Sequence, residues 1–178
     1  MLDGPYVGFL DLLKTNVTNY IGAVLVTDFS GVPVEFRCTH PVKPTEIQRQ
    51  LYGSTLPRYV GVELCGKPLL NSIQKKPTLV FVNQELLLGV REKFNAPVLF
   101  VRAAGEVLTV EDASTQAKEM RFDAASFASI SVKTQCPGDL EEARQHIESL
   151  IRNLDPTEPF ERIAKAVEAL TKENRQFQ

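Results

Sequence analysis

The chain has 178 residues, a length suited to one domain with a substantial core. Its 43% hydrophobic and 24% charged content is that of an ordinary globular protein and excludes a disordered or fibrous one. A net charge of −2 and a pI near 5.8 supply no overall basic field for a phosphate backbone, which argues against a dedicated nucleic-acid binder.

The N-terminal stretch MLDGPYVGFLDLLKT carries Asp3 and Asp11 where a secretory signal would carry positive charge. The longest apolar runs, around Ala23 to Val26 and Leu79 to Val82, are strand-length and too short for a membrane span. Cys38, Cys65 and Cys136 are widely spaced and odd in number, so they cannot all pair within one chain. The expectation is a reducing, cytoplasmic setting with buried or idle thiols. Cys38 and His40 stand two residues apart on a strand end and could share a zinc ion, but no Cys-x-x-Cys pair accompanies them.

Along the chain, Val7 to Lys14 reads as a short amphipathic helix with Phe9, Leu10 and Leu13 on its apolar side. Gly22 to Thr27 is a near-continuous apolar strand, a pattern that implies burial on both faces. Asp28-Phe29-Ser30-Gly31 is a turn, and Val32 to Thr39 then alternates, with Glu35 and Arg37 on the polar face. Pro33 has no amide to donate and places this strand at a sheet edge. Thr45-Glu46-Ile47-Gln48 is a capping box that opens a helical layer, broken near Gly53 and again by Gly66 and Pro68, and ending at Ile73.

Thr78 to Val82, a helix over Gln84 to Phe94 capped by Asn83, and Val98 to Arg102 make a βαβ unit with parallel, buried strands, the rival reading being Leu86 to Val90 as a strand in a meander. Glu106 to Val110 and Ser129 to Lys133 are further strands, and Asp112 to Ala128 has no clear pattern. Asp139 caps a helix that runs to about Asn153, and a last helix covers Glu158 to Glu173, with Phe160, Ile163, Val167 and Leu170 as an apolar stripe.

Chemistry-bearing residues concentrate between Gly22 and Tyr52. Asp28 ends the first hairpin strand, Glu35 and Arg37 share one face of the second, and Gln48 and Tyr52 share one face of the following helix. A metal-dependent phosphodiesterase needs converging oxygen ligands and a nearby cation, and such a frame can supply both. This order resembles the PD-(D/E)XK nuclease superfamily, and the Gln-x-x-x-Tyr pair is similar to its RecB-like branch. The resemblance implies Asp28 and Glu35 as ligands of Mg or Mn. It puts Arg37 in the place of a catalytic lysine, where a guanidinium stays charged, and makes Gln48 and Tyr52 an accessory pair. The same residues also have local readings: a turn aspartate, a solvated strand face, a capping glutamine and a packed aromatic. His40 lies just past the second strand, where a site could form.

The expected architecture is one α/β domain over 1–178, with α+β as the variant: a mixed sheet containing a β-hairpin and a βαβ unit, and an antiparallel helix hairpin at 139–174 packed on it. No Gly-rich phosphate loop and no nucleophile elbow is present. The leading expectation by elimination is therefore a non-enzymatic cytosolic interaction or regulatory subunit with no cofactor. Its protein partner or second copy would use the stripe Phe160, Ile163, Val167 and Leu170, unless that stripe packs on the domain itself. The alternative is a small Mg- or Mn-dependent nuclease, or an inactivated relative, with nucleic acid as partner in that case alone. A third reading, by fold analogy, is a small-ligand domain working at the carboxyl ends of the parallel strands. No membrane partner is expected.

Overall fold

The computed structural model describes residues 4–16, 18–105 and 118–176. The expected strand at Glu106 to Val110 lies outside them. The first three strands, β1 (Tyr6–Lys14), β2 (Tyr20–Asp28) and β3 (Pro33–Cys38), form an antiparallel meander. Two more, β4 (Leu79–Val82) and β5 (Val98–Ala103), run parallel to β1 and to each other. The antiparallel pair β6 (Lys118–Phe122) and β7 (Ile130–Thr134) completes a single seven-stranded mixed sheet in the order β3-β2-β1-β4-β5-β7-β6.

The α/β expectation holds, and so do the edge position of the Pro33 strand and the parallel pairing within the βαβ unit. Three local readings need correction. The first element is a strand, because Val7 and Phe9 enter one core while Leu10 and Leu12 enter the other. With both faces covered, apolar residues fall at consecutive positions and the period of two that announces a strand disappears. The crossover Glu85–Lys93 is 3₁₀ rather than α-helical, and Asn83 makes no cap for it. Gly138, at φ 109°, takes the cap position expected for Asp139, which is instead the first helical residue and buried.

One face of the sheet is covered by α4 (Asp139–Leu150) and α5 (Glu158–Gln176), which bury Leu140, Ile147, Phe160 and Ile163 against Phe9, Phe81 and Leu99. Phe160 meets Phe9 edge-on at 5.8 Å. The stripe read as a partner surface is thus used inside the domain: Phe160, Ile163 and Val167 are buried, and Leu170 alone of the four is exposed. The opposite face is covered by α2 (Leu56–Tyr59), a π-helical stretch Val60–Gly66, α3 (Lys67–Ser72) and the 3₁₀ crossover. This layer presses close. A Cβ placed on Gly22 of β2 would lie 2.5 Å from the Cβ of Cys65, so glycine is required there by space alone.

The capping box opens α1 (Glu46–Tyr52), where Thr45 Oγ1 accepts from the Gln48 amide at 3.2 Å and Gln48 Oε1 accepts from the Thr45 amide at 2.9 Å. None of its residues is buried, and Ile47 and Leu51 are 71% and 79% exposed. Only its last residue, Tyr52, packs against a core, that of the face opposite α4 and α5.

Candidate functional site

The hairpin residues are each engaged close to home. Asp28 Oδ1 accepts from the amides of Ser30 and Val32 at 2.8 and 2.9 Å and so fastens its own turn. Glu35 Oε2 accepts from the amides of Gln74 and Lys75, both at 2.9 Å, and Oε1 pairs with Arg37 Nε at 2.6 Å. Burial works to raise the Glu35 carboxyl, but these donors prevail and hold it below the usual range. The carboxylate therefore ties the edge strand to the chain that follows α3. Gln48 closes the capping box, and Tyr52 stacks on Tyr59 with ring centroids 4.3 Å apart. The structure brings Glu35 and Arg37 together, leaves Gln48 in its capping box at the start of α1 and packs Tyr52, at the end of α1, against the core.

A different carboxylate occupies the centre of the sheet. From β1 the chain turns to β2 and β3 on one side, then returns to β4 and β5 on the other, so β1 and β4 flank the point where the strand order reverses. In parallel sheets the crevice outside the carboxyl ends at such a point is the usual ligand site. Leu10 pairs with Val82 in the parallel register, which sets the next residues, Asp11 and Asn83, side by side at that edge. Asp11 is only 4% exposed. Its Oδ1 accepts from the Leu12 amide at 2.8 Å and from Gln84 Nε2 at 2.9 Å, while Gln84 Nε2 also donates to the Leu12 carbonyl at 2.8 Å. Burial pushes the Asp11 carboxyl above its ordinary range, against the opposing pull of hydrogen bonds from Gln84, Asn83 and the Leu12 amide.

Asp11 entered the sequence reading only as an N-terminal acid. The signal for it was one charged residue inside the apolar run Tyr6 to Leu13, an arrangement rare in cores unless the charge is used or paired. The other buried acid among the described residues, Asp139, is paired: its two oxygens receive Arg91 Nε at 3.0 Å and Nη2 at 3.2 Å.

No protein-family model and no curated protein sequence matches the chain. Solved structures do. Human ENDOV superposes with a TM-score of 0.66 over 98% of this chain and 87% of its own, at 12% identity. The chain has the ENDOV fold. Looser likenesses are to Ciona intestinalis Endonuclease V in complex with a 24mer DNA containing an inosine followed by a ribo-adenosine (TM-score 0.44, 14% identity, 83% of this chain and 77% of that one), and to Marinitoga piezophila Argonaute in complex with 5′ OH guide RNA (TM-score 0.41, 12% identity, 87% and 27%).

The ENDOV fold, a nuclease fold, overturns the leading expectation of a non-enzymatic interaction or regulatory subunit and agrees better with the nuclease alternative. The expectation of no cofactor is corrected with it, since enzymatic phosphodiester cleavage is commonly assisted by a divalent ion. Of the resemblance to the PD-(D/E)XK superfamily, the fold supports only the coarser statement, a nuclease-like fold, and neither that superfamily nor its RecB-like branch. No helix among the described residues is long and apolar enough to cross a membrane.

Whether this chain's residues suit such an ion can be read from the donors at the β1 and β4 edge. Asp11 brings one anionic group, and Asn83 and Gln84 bring neutral carboxamides. Among the described residues no three His, Cys, Asp or Glu side chains are grouped to hold a metal. Mg²⁺ and Mn²⁺ favour carboxylate-rich oxygen sets, so the described donors make a partial site with a single charge.

Proposed function

We propose that this chain is a nucleic-acid-directed protein of the nuclease fold, of the Mg- or Mn-dependent phosphodiesterase class or an inactivated derivative of it, working at the carboxyl edge of β1 and β4. The observation that carries the proposal is the buried Asp11 carboxylate at the point where the strand order reverses. No cationic side chain among the described residues pairs with it, so its burial disfavours the charged form, and a divalent ion or a ligand donor at the edge would relieve that cost. Asp11 would hold the ion directly, with Asn83 beside it and Gln84 fixing the carboxylate through Oδ1. The ion would supply charge stabilisation at a phosphate. With one carboxylate in the set, the affinity expected is weak, on the order of 10⁻⁴–10⁻³ M.

The rival placement uses Asp28 and Glu35 as ligands with Arg37 as the cation and Gln48 and Tyr52 as accessories. One experiment separates the two: calorimetric titration with Mn²⁺ of the wild type, Asp11→Asn, Asp28→Ala and Glu35→Ala, followed by binding and cleavage assays on labelled single- and double-stranded DNA and RNA. The expected result is Mn²⁺ binding that Asp11→Asn removes and the other two retain, together with nucleic-acid binding. Loss in Asp28→Ala and Glu35→Ala instead would move the site to the hairpin. Folded protein that binds no oligonucleotide with or without Mn²⁺ would overturn the proposal.

A further inference from the structure

A cavity of about 450 Å³ opens between the β1–β2 turn, the end of β3 and the second half of α5. Its volume is within the ~300–1,000 Å³ of ordinary small-ligand sites. None of Asp28, Glu35, Arg37, Asp11 and Asn83 lines it. Ile21 and Val167, both buried, give it an apolar floor. The polar lining is rich in donors. Asn16 Oδ1 accepts from the amides of Thr18 and Asn19, and Asn19 Oδ1 accepts from the Thr18 hydroxyl. Both asparagines therefore commit their oxygens to the loop and keep N–H₂ donors for a ligand. Lys43 adds an ammonium and His40 an imidazole, and none of the described lining residues is acidic.

Donors on the wall, a cation at the rim and an apolar floor fit one kind of occupant. We propose that this cavity binds a small organic anion of mononucleotide size, its anionic group held by Lys43 and the asparagine amides and its apolar body seated on Ile21 and Val167. The site is independent of the nucleic-acid proposal, because it shares no residue with the β1 and β4 edge.

Amide chemical shifts of the labelled protein, followed during titration with adenosine 5′-monophosphate, adenosine and inorganic phosphate, test it. The nucleotide should shift amides around residues 15–21, 38–43 and 167–171, and bind more tightly than adenosine or phosphate alone. Lys43→Ala should weaken the nucleotide about tenfold, the loss expected for one charge-assisted hydrogen bond. Lys76→Ala, an exposed lysine outside this cavity, should leave it unchanged. Lys43 is itself exposed, so its removal does not threaten the fold. Shifts absent from the cavity, adenosine binding as tightly as its monophosphate, or equal weakening by both lysine variants would overturn the assignment.

Discussion

Replacing Asp11 by asparagine should make the protein more stable at neutral pH. Two of the hydrogen bonds to the carboxylate, from the Leu12 amide and from Gln84 Nε2, end on Oδ1, which an asparagine side chain also possesses, and the Asn83 side chain supplies a further one. What the substitution removes is the charge, and burial makes that charge costly. Because the folded-state pKa lies above the ordinary value of 3.8, the native protein holds this proton more tightly than the unfolded chain does. Stability from this group is therefore fullest below pH 3.8 and declines as pH rises through the raised value. Asparagine does not titrate, so the advantage of Asp11→Asn grows over the same interval. Relief of a functional-site cost of this kind is worth about 0.5–2 kcal/mol. A mid-range gain of about 1 kcal/mol raises Tm by roughly 2–4 °C in a chain of this size. Thermal melts of both proteins between pH 4 and 8 give the readout. A variant less stable than the wild type at pH 7, or a gap that does not change with pH, would refute the view that an unrelieved charge is buried there.

Other substitutions probe the frame around the site. Arg91→Ala leaves the Asp139 carboxylate, 4% exposed, without its guanidinium, and urea titration should register a loss of about 3–5 kcal/mol; a loss below about 1 kcal/mol would mean that water reaches Asp139 freely. Glu35→Ala abandons the amides of Gln74 and Lys75 and should cost about 1–3 kcal/mol at neutral pH. Since the Glu35 pKa is lowered, its contribution is present above the ordinary value of 4.5 and fades as pH falls through the folded-state value, so a gap that closes above pH 4.5 would contradict the arrangement. Gly22→Ala drives a methyl against the Cβ of Cys65 and should destabilise by about 1–3 kcal/mol in chemical denaturation, whereas a neutral result would show that the π-helical stretch yields.

The hairpin was legible because β3 alternates at an edge and its turn carries Asp28 and Gly31, all signals confined to a dozen neighbouring residues. The α5 stripe was legible as a helix face, although periodicity cannot tell a face that packs on its own sheet from one that awaits a partner. β1 was misread because a strand buried on both faces has no alternation, and Phe9, Leu10 and Leu13 fit helical spacing equally well. The Asp11 site was hidden for a further reason. Asp11 and Gln84 are 73 residues apart, and only the parallel register of β1 with β4 brings them together. Clusters made by non-local strand pairing leave no spacing pattern in a single sequence. What does remain is an isolated charge in an apolar run, which is informative once the run is known to be a strand.

The position of β1 also sets an order of events during synthesis. Its pairing with β2 needs only the short turn between Lys14 and Tyr20, so the three-stranded meander can close as soon as it leaves the ribosome. Its other edge waits for β4, whose residues Leu79 to Val82 are made some seventy positions after their partners Val7 to Leu10. Until then that edge has free amides and carbonyls, and Asp11 lacks the Gln84 side chain that fixes it. A nascent chain halted before Leu79 would present an open apolar strand edge, the kind of template on which incomplete chains aggregate.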